Sequence, residues 1–414
     1  MKTKQKIYNL LRKSQKYTKT DMVYLAKGGF WLTLGQTVST IASFLSAIAF
    51  ANLLPREVYG QYKYILSVAS ILAIPTLSGM NTAITQAVAR GYEGSFIPAL
   101  KTRIKWGLLG GLASLGLAGY YFFNGNITLT ISFLVAAIFL PFMDSFNVYG
   151  ALLIGKKRFD LSTKISVPIR IISIAVMIVV LFLTNNLFLI LITYFISNTL
   201  LRFIALMLTL KKFKLNKKED PETLSYGKHL SLIGIIGTIA TNIDKILLWH
   251  FLGAIPLAIY SFAITPIQHI QKALKISETL AFPKFADQKK ETLKKNLLPK
   301  IFKFSIVLIV PMVIYIILAP LIYKLVFPQY LESIKYTQYY ALVLLLFPKR
   351  LLGQVLIAHA KTKSIYILTT TNIILKILLL FTLLPLYGIW GAIVALILPQ
   401  VFTIPLDFYL FKKM

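Results

Sequence analysis

The chain has 414 residues, of which 57% are hydrophobic and 14% are charged, against roughly 25% charged residues in ordinary soluble domains. This balance excludes a disordered chain and an ordinary soluble enzyme, and it indicates a protein that folds within lipid. The absence of cysteine excludes disulfides, thiol catalysis and thiolate metal sites, and four histidines give little support to a histidine metal centre.

Uncharged runs of about 20 residues, the length needed to cross a bilayer, predict the first transmembrane helices. In chain order they are Gly29–Asn52, Tyr64–Thr85 and Trp106–Met143, and Phe304–Tyr323 follows later. Asn124-Gly125-Asn126 interrupts the third run. We therefore predict two helices there, joined by a tight turn.

Other hydrophobic runs are long enough only if their helices include charged residues. Ile171–Leu201 is cut at Thr184-Asn185-Asn186, so its two helices must extend to about residues 165 and 207 and take in Arg170 and Arg202. Ile246–Gln271 is cut at residues 253–256, so one helix must include Asp244 and Lys245, and the next must include Lys272.

Three further helices bring the predicted total to twelve. They are Tyr336–Ala360, which contains Lys349 and Arg350, Ser364–Leu384, which contains Lys376, and Ile389–Leu410, which contains Asp407. The prediction is an all-α polytopic membrane protein in which several charges lie at membrane depth.

The net charge of +31 would suggest nucleic acid as a partner of a soluble protein. Here the basic residues concentrate in alternate connections between the predicted helices, whereas the other connections hold only Arg56, Lys63, Lys324 and Lys335. Since lysine and arginine favour the cytoplasmic side, both termini are predicted to be cytoplasmic, including the basic segment 1–27. No nucleic-acid partner is needed to explain the charge.

An internal repeat suggests two similar halves. Residues Gly29–Tyr62 align without a gap onto Gly227–Tyr260, and this shift maps the first helix onto the seventh. A shift of six helices preserves the direction of insertion, so the halves are parallel repeats related by a pseudo-two-fold axis along the membrane normal. We predict six-helix lobes at 28–210 and 229–414, a cytoplasmic linker at 211–228, and a central cavity.

The segment Asn52–Tyr62 resembles the turn after the first helix in Wzx-type oligosaccharide-lipid flippases, which usually reads Leu-Gly-Pro-Glu-x-Tyr-Gly-x-Tyr. Here Leu-Leu-Pro replaces Leu-Gly-Pro, and Arg56 precedes the glutamate. Asp244–Leu248, Phe251–Gly253 and Ala258–Ser261 resemble the same family's pattern in the second half, with Ala258 in place of the usual glycine. That superfamily also contains MATE drug antiporters and peptidoglycan-precursor flippases.

The resemblance implies a multi-pass protein of the bacterial cytoplasmic (inner) membrane. It would move undecaprenyl-pyrophosphate-linked oligosaccharide repeat units from the inner to the outer leaflet by alternating access, for O-antigen, capsule or exopolysaccharide synthesis. The implied partners are the lipid-linked oligosaccharide and membrane lipids. A polysaccharide polymerase and a chain-length regulator are further candidate partners.

The eighth predicted helix carries a polar stripe. Its members recur every three or four residues, which places them on one face of the helix: Ser261, Thr265, Gln268, Lys272, Lys275 and Thr279. One interpretation is a cavity wall with two ammonium groups for a pyrophosphate. The alternative is that Lys272 and Lys275 extend to the cytoplasmic headgroups.

Other intramembrane polar residues are substrate-binding candidates, because charges in lipid are costly. They are Gln36 on the first helix, Arg170, Arg202, Lys245, Lys349, Arg350 and Lys376. Structural ion pairs with Asp144 or Asp407 are the alternative for Lys349, Arg350 and Lys376. For Gln36, the alternative is that the small and polar residues beside it serve close helix packing.

Three carboxylates are candidates for binding a coupling ion: Asp244, Asp144 and Glu278. A carboxylate at membrane depth can carry H⁺ or Na⁺, and the residues do not decide between the two ions. Alternatively, Asp244 neutralises its neighbour Lys245. No other cofactor is expected.

Two other function classes fit the residues less well. A cation-coupled MATE-type antiporter would favour an acidic cavity, whereas the charges at membrane depth here are mostly basic. A membrane glycan polymerase usually has a large external loop with catalytic groups, and the longest external turn, about 324–335, has Glu332 as its only acid. We therefore expect a transporter and not an enzyme.

Overall fold

The computed structural model describes residues 22–288, 290–359 and 361–413, apart from a few side chains inside helices. Over these residues it is all-helical. Most of the predicted basic segment 1–27 lies outside them. The predicted turns are confirmed, because helices end at Phe123, Leu183 and Leu252 and the next ones begin at Ile127, Leu187 and Ala254.

The helices are numbered in chain order. The first half contains α1 (Met22–Leu53), α2 (Arg56–Leu72), α3 (Met80–Ala89), α4 (Phe96–Phe123), α5 (Ile127–Met143), α6 (Tyr149–Gly155), α7 (Phe159–Leu183) and α8 (Leu187–Lys212). The second half contains α9 (Thr223–Leu252), α10 (Ala254–Asp287), α11 (Lys290–Val326), α12 (Ser333–Tyr340), α13 (Val343–Leu346), α14 (Arg350–Ala358), α15 (Thr362–Phe402) and α16 (Ile404–Lys412).

Within the described residues, nine helices are long and apolar enough to cross a membrane, or ten if the bent pair α2–α3 is one span. The prediction of twelve crossings is therefore confirmed for nine or ten of them. The 34-residue helix α10 is not among these candidate crossings. The run Thr362–Lys412 counts once, although Gly388 divides it with a φ of 56°. Residues with positive φ cannot continue a right-handed helix, so two crossings from this run fit the geometry.

The second crossing differs from the prediction. It begins at Arg56 and not near Tyr64, because Pro55 precedes the first turn and α2 continues through Lys63. Lys63 was expected in an external turn, and the structure instead places it inside a helix. A 3₁₀ turn at Ile74–Thr76 and left-handed Leu77 bend this crossing by 46° between α2 and α3.

The non-helical connection is shorter than the predicted linker 211–228. Helix α8 continues to Lys212 and α9 begins at Thr223, so only residues 213–222 lie between them. These residues are attached to the first half, since Gly94 N–H donates to the Lys218 carbonyl at 2.9 Å and the Asn216 amide donates to the Gly91 carbonyl at 2.8 Å.

The two halves meet along the α2–α3 crossing. A Cβ on Gly60 of α2 would lie 2.0 Å from the Ala254 carbonyl oxygen, and one on Gly79 would lie 2.5 Å from the Ser231 nitrogen. Tyr64 also stacks on Trp249, with ring centroids 4.6 Å apart. Glycine is required at both close approaches because any side chain would separate the helices.

We call the helix ends with the lysine-rich connections the basic end. The other, which holds the turns at residues 124–126, 184–186 and 326–332, is the opposite end. At the opposite end the halves are joined by three polar contacts. Asn52 donates to the Val326 carbonyl at 2.9 Å, Gln329 donates to the Asn52 carbonyl at 3.2 Å, and Arg56 pairs with Glu332 at 2.9 Å. The opposite end is therefore closed in this conformation.

Candidate functional site

Two cavities lie on either side of α10. The smaller, of about 280 Å³, lies between α10 and the first half, with walls from α1, α2, α7 and α8. The larger, of about 680 Å³, lies within the second half, with walls from α9, α10, α14, α15 and α16. Gln268 of α10 lines both. This helix is thus a partition between two polar spaces.

The polar stripe of α10 is divided between the two cavities. Thr265 and Lys272 line the smaller cavity, whereas Lys275 and Glu278 line the larger one. Ser261 is buried and lines neither, and the side chain of Thr279 is outside the described residues. The stripe predicted to lie on one face therefore lines two cavities. Thr265 and Lys272, seven residues apart, point in the same direction, whereas Lys272 and Lys275, three residues apart, point in directions that differ around the helix axis.

We call the smaller space the basic cavity. It contains Lys63, Arg170 and Lys272, and no carboxylate occurs among the described residues that line it. Arg170 donates to the Ser43 hydroxyl at 2.8 Å, which holds its guanidinium at the wall. The ammonium of Lys63 lies 5.6 Å from the centre of the Tyr59 ring. Three cations without a carboxylate among the described lining give this space a positive potential.

We call the larger space the mixed cavity. Its lining includes the cations of Lys245, Lys275, Lys349, Arg350 and Lys376, and the carboxylates of Asp244, Glu278 and Asp407. Several carboxamides and hydroxyls lie among them, including Gln271, Gln354, Asn372 and Gln400. Most of the predicted intramembrane charges of the second half are brought together here.

Asp244 is the most enclosed carboxylate of the mixed cavity, at 3% exposed. Its Oδ1 lies 3.7 Å from the Lys245 ammonium and 3.6 Å from that of Lys376, and the Tyr260 hydroxyl donates to Oδ2. Lys376 also donates to the Ala240 carbonyl. The carboxylate thus ties α9, α10 and α15 together and neutralises its neighbour, as one interpretation of the sequence held.

Lys349 and Arg350 differ in their surroundings, although they are adjacent. The 3₁₀ turn Phe347–Lys349 directs Lys349 toward Asp407, with N and O atoms 2.9 Å apart, and toward the Thr403 hydroxyl at 2.8 Å. Arg350 has a guanidinium 3.9 Å from Glu278 and a side chain that is 49% exposed. Lys349 therefore has the structural pairing expected as an alternative, whereas Arg350 faces the cavity.

Besides Ser261, three of the predicted residues lie outside both cavities. Arg202 pairs with Asp144 at 2.8 Å and donates to the Met143 carbonyl at 2.9 Å, so the two predicted candidates form an ion pair between α8 and the end of α5. Gln36 contacts Thr40 on its own helix. In this conformation none of the three lines a described cavity.

Two basic residues of the first half were assigned to connections by the sequence. Lys63 lines the basic cavity, as described above. Arg103 is 1% exposed in α4, donates to the Asn81 side chain and donates to the Asp144 carbonyl at 2.8 Å. For Lys63, the sequence does contain one indication of its position. It follows Tyr59 by four residues, about one helical turn, which predicts that the two side chains lie on the same side of α2.

The comparisons with known proteins agree with this architecture. Residues 25–289 match the family model described as "Polysaccharide biosynthesis protein". No curated protein matches the chain. Among solved structures, the lipid II flippase MurJ in an inward closed conformation is similar with a TM-score of 0.65 and 17% identity, over 92% of this chain and 87% of that chain.

Transporters of the MATE family have the same fold. An outward-facing multidrug resistance MATE transporter of the MOP superfamily gives a TM-score of 0.62 at 14% identity, over 94% of each chain. An inward-facing one gives 0.63 at 14% identity, over 91% of this chain and 94% of that chain. The predicted resemblance is confirmed by the family match and, at the level of the fold, by these structures. Because the family model covers well over half of the chain, this protein belongs to the polysaccharide biosynthesis protein family.

Proposed function

We propose that the protein is a flippase that moves undecaprenyl-pyrophosphate-linked oligosaccharide repeat units from the inner to the outer leaflet of the cytoplasmic membrane. The basic cavity is the observation that carries this proposal. Lys63, Arg170 and Lys272 converge there without a carboxylate among its described lining. A drug cation would be repelled by this cavity, whereas a pyrophosphate would be bound.

The energetic cost of these charges supports a ligand. A lysine or arginine at the centre of a membrane helix costs about 2.5–3.5 kcal/mol on insertion scales. An ion pair would offset that cost in a purely structural cluster, as Asp144 does for Arg202. In the basic cavity the offset would come from the cargo, because a pyrophosphate supplies charge and strong hydrogen-bond acceptors. The apolar tail would stay in lipid.

The closed opposite end defines the step at which this conformation would act. With Asn52, Arg56 and Gln329 engaged across the halves, cargo would enter from the basic end, which the charge distribution assigns to the cytoplasm. Release on the other side would require these contacts to open while the halves close at the basic end. This is alternating access by movement of one repeat against the other.

We further propose H⁺ rather than Na⁺ as the coupling ion, with Asp244 as its site. Among the described residues, the groups that contact this carboxylate are donors: two ammonium groups and a phenol. Na⁺ would need further acceptor oxygens, whereas a proton would bind Asp244 in a conformation in which Lys245 and Lys376 have moved away from it. Transport into proteoliposomes should follow an imposed pH gradient and not an Na⁺ gradient. Drive by Na⁺ alone at neutral pH would contradict this assignment.

The main test is complementation of a flippase-null strain that makes a defined lipid-linked oligosaccharide. Arg170→Gln and Lys272→Gln should each abolish surface polysaccharide without lowering membrane abundance, because each removes one cation from the basic cavity. Arg90→Gln is the matched control, since Arg90 is 57% exposed and lines neither cavity. Normal export by both cavity variants would overturn the proposal.

A further inference from the structure

The mixed cavity has features that pyrophosphate binding does not explain. Its volume of about 680 Å³ is within the range of pockets that enclose drug-sized ligands, about 300–1,000 Å³. It is lined by carboxamides on three helices, including Gln271 on α10, Gln354 on α14 and Asn372 on α15. Carboxamides offer both donors and acceptors, as sugar hydroxyls require.

The charges of this cavity leave a positive excess. Five cations face three carboxylates, and each carboxylate already has a partner. Asp244 lies between Lys245 and Lys376, Asp407 pairs with Lys349, and Glu278 accepts a hydrogen bond from Gln354 at 3.1 Å. A ligand of this space therefore meets a surface that is polar and net positive, but not one that is purely cationic.

Arg350 is the cation best placed to meet that ligand. Its guanidinium is half-exposed, lies 5.4 Å from the centre of the Phe347 ring, and has its nearest recorded carboxylate oxygen 3.9 Å away on Glu278. That separation is at the outer limit of an ion pair. The planar guanidinium thus has N–H donors available to bind a carboxylate through two parallel hydrogen bonds.

The two cavities adjoin at Gln268, which lines both. A ligand with an anionic group in the basic cavity would reach the mixed cavity by displacing this side chain. We propose that the mixed cavity binds the glycan of the cargo, and that this glycan contains an acidic sugar whose carboxylate pairs with Arg350. This proposal rests on the proposed function for the orientation of the cargo.

The test uses the full chain in lipid nanodiscs and three probes: farnesyl pyrophosphate, trigalacturonate and neutral maltotriose. Calorimetric titration should show that trigalacturonate binds about tenfold or more tightly than maltotriose, because only its carboxylates can form charge-assisted hydrogen bonds with Arg350. Trigalacturonate should also bind in the presence of saturating farnesyl pyrophosphate, since the two occupy different cavities. Equal affinity for both oligosaccharides, or competition between trigalacturonate and farnesyl pyrophosphate, would overturn the proposal.

Substitutions separate the two sites. Arg350→Gln should remove the preference for trigalacturonate, while Glu278 keeps its hydrogen bond from Gln354. Arg350→Lys should retain part of the preference, because lysine keeps the positive charge but cannot form two parallel hydrogen bonds with one carboxylate. Arg90→Gln is the control for loss of an arginine. Unchanged trigalacturonate binding by a folded Arg350→Gln protein would contradict the assignment.

The two proposals can fail separately. Absence of farnesyl pyrophosphate binding by the unmodified chain would count against the basic cavity as a pyrophosphate site. The trigalacturonate measurements would still decide the ligand of the mixed cavity, since they require no lipid-linked cargo.

Discussion

Gly60 offers a direct test of how the two halves close at the opposite end. A Cβ at this position would lie 2.0 Å from the Ala254 carbonyl oxygen and 2.6 Å from its carbon. Real Cβ atoms essentially never approach another heavy atom closer than 3.0 Å. Gly60→Ala therefore requires the backbones of α2 and α10 to separate by at least about 1 Å, because no flexible side chain is available to move away.

The expected cost follows from this overlap. Overpacking of a tight contact typically costs about 1–3 kcal/mol. The gain of about 0.5–1 kcal/mol from the higher helix propensity of alanine applies to both conformations and does not change their ratio. The penalty applies only while the opposite end is closed. A bias of about 1–3 kcal/mol changes the ratio of two conformations by about 5–150-fold. Gly60→Ala should thus shift the protein toward the state that is open at the opposite end.

Cross-linking in this cysteine-free chain measures that shift. Residues 52 and 329 are near each other when the opposite end is closed, since Gln329 donates to the Asn52 carbonyl at 3.2 Å. A short bifunctional thiol reagent should cross-link cysteines at these two positions readily in the otherwise unchanged chain and much less in the Gly60→Ala background. Gly119→Ala is the matched control, because a Cβ there meets no atom within 4 Å. Equal cross-linking in the two backgrounds would refute the reasoning.

Three further predictions concern stability and topology. Lys349→Leu should destabilise the protein by about 3–5 kcal/mol, because it leaves Asp407 buried without its partner. In thermal unfolding, adding Asp407→Leu should recover most of this loss, and a double variant as unstable as the single one would show that the two residues are not a simple pair. Arg103→Leu should lower the free energy of unfolding by about 1–3 kcal/mol, because Asn81 and the Asp144 carbonyl lose their donor, whereas Arg90→Leu at an exposed position should change it by less than about 0.5 kcal/mol. Similar effects of the two substitutions would show that burial of Arg103 is not the cause. In intact cells, an impermeant thiol reagent should label a cysteine at Asn124 and not one at Lys214, and the reverse pattern would invert the proposed topology.

Only part of the candidate site could be predicted from the sequence alone. Span lengths placed Lys272, Arg350 and Lys376 inside helices, and the structure agrees, because a helix that crosses a membrane must reach about 20 residues whatever its neighbours are. The partners could not be predicted in the same way. Asp144 with Arg202 and Asp244 with Lys376 lie on helices far apart in sequence, and which helices adjoin depends on packing of the whole bundle.

The sequence by itself determined the membrane class, the helical turns and the family resemblance, since these depend on local hydrophobicity, on polar breaks such as Asn124–Asn126, and on a contiguous motif. Tertiary structure alone decided that Lys63 joins Arg170 and Lys272, that α10 separates a basic from a mixed cavity, and that Arg350 differs from Lys349. The physical reason is that helical periodicity fixes which residues share a face, whereas the element that each face meets is set by interhelical contacts such as Gly60 against Ala254.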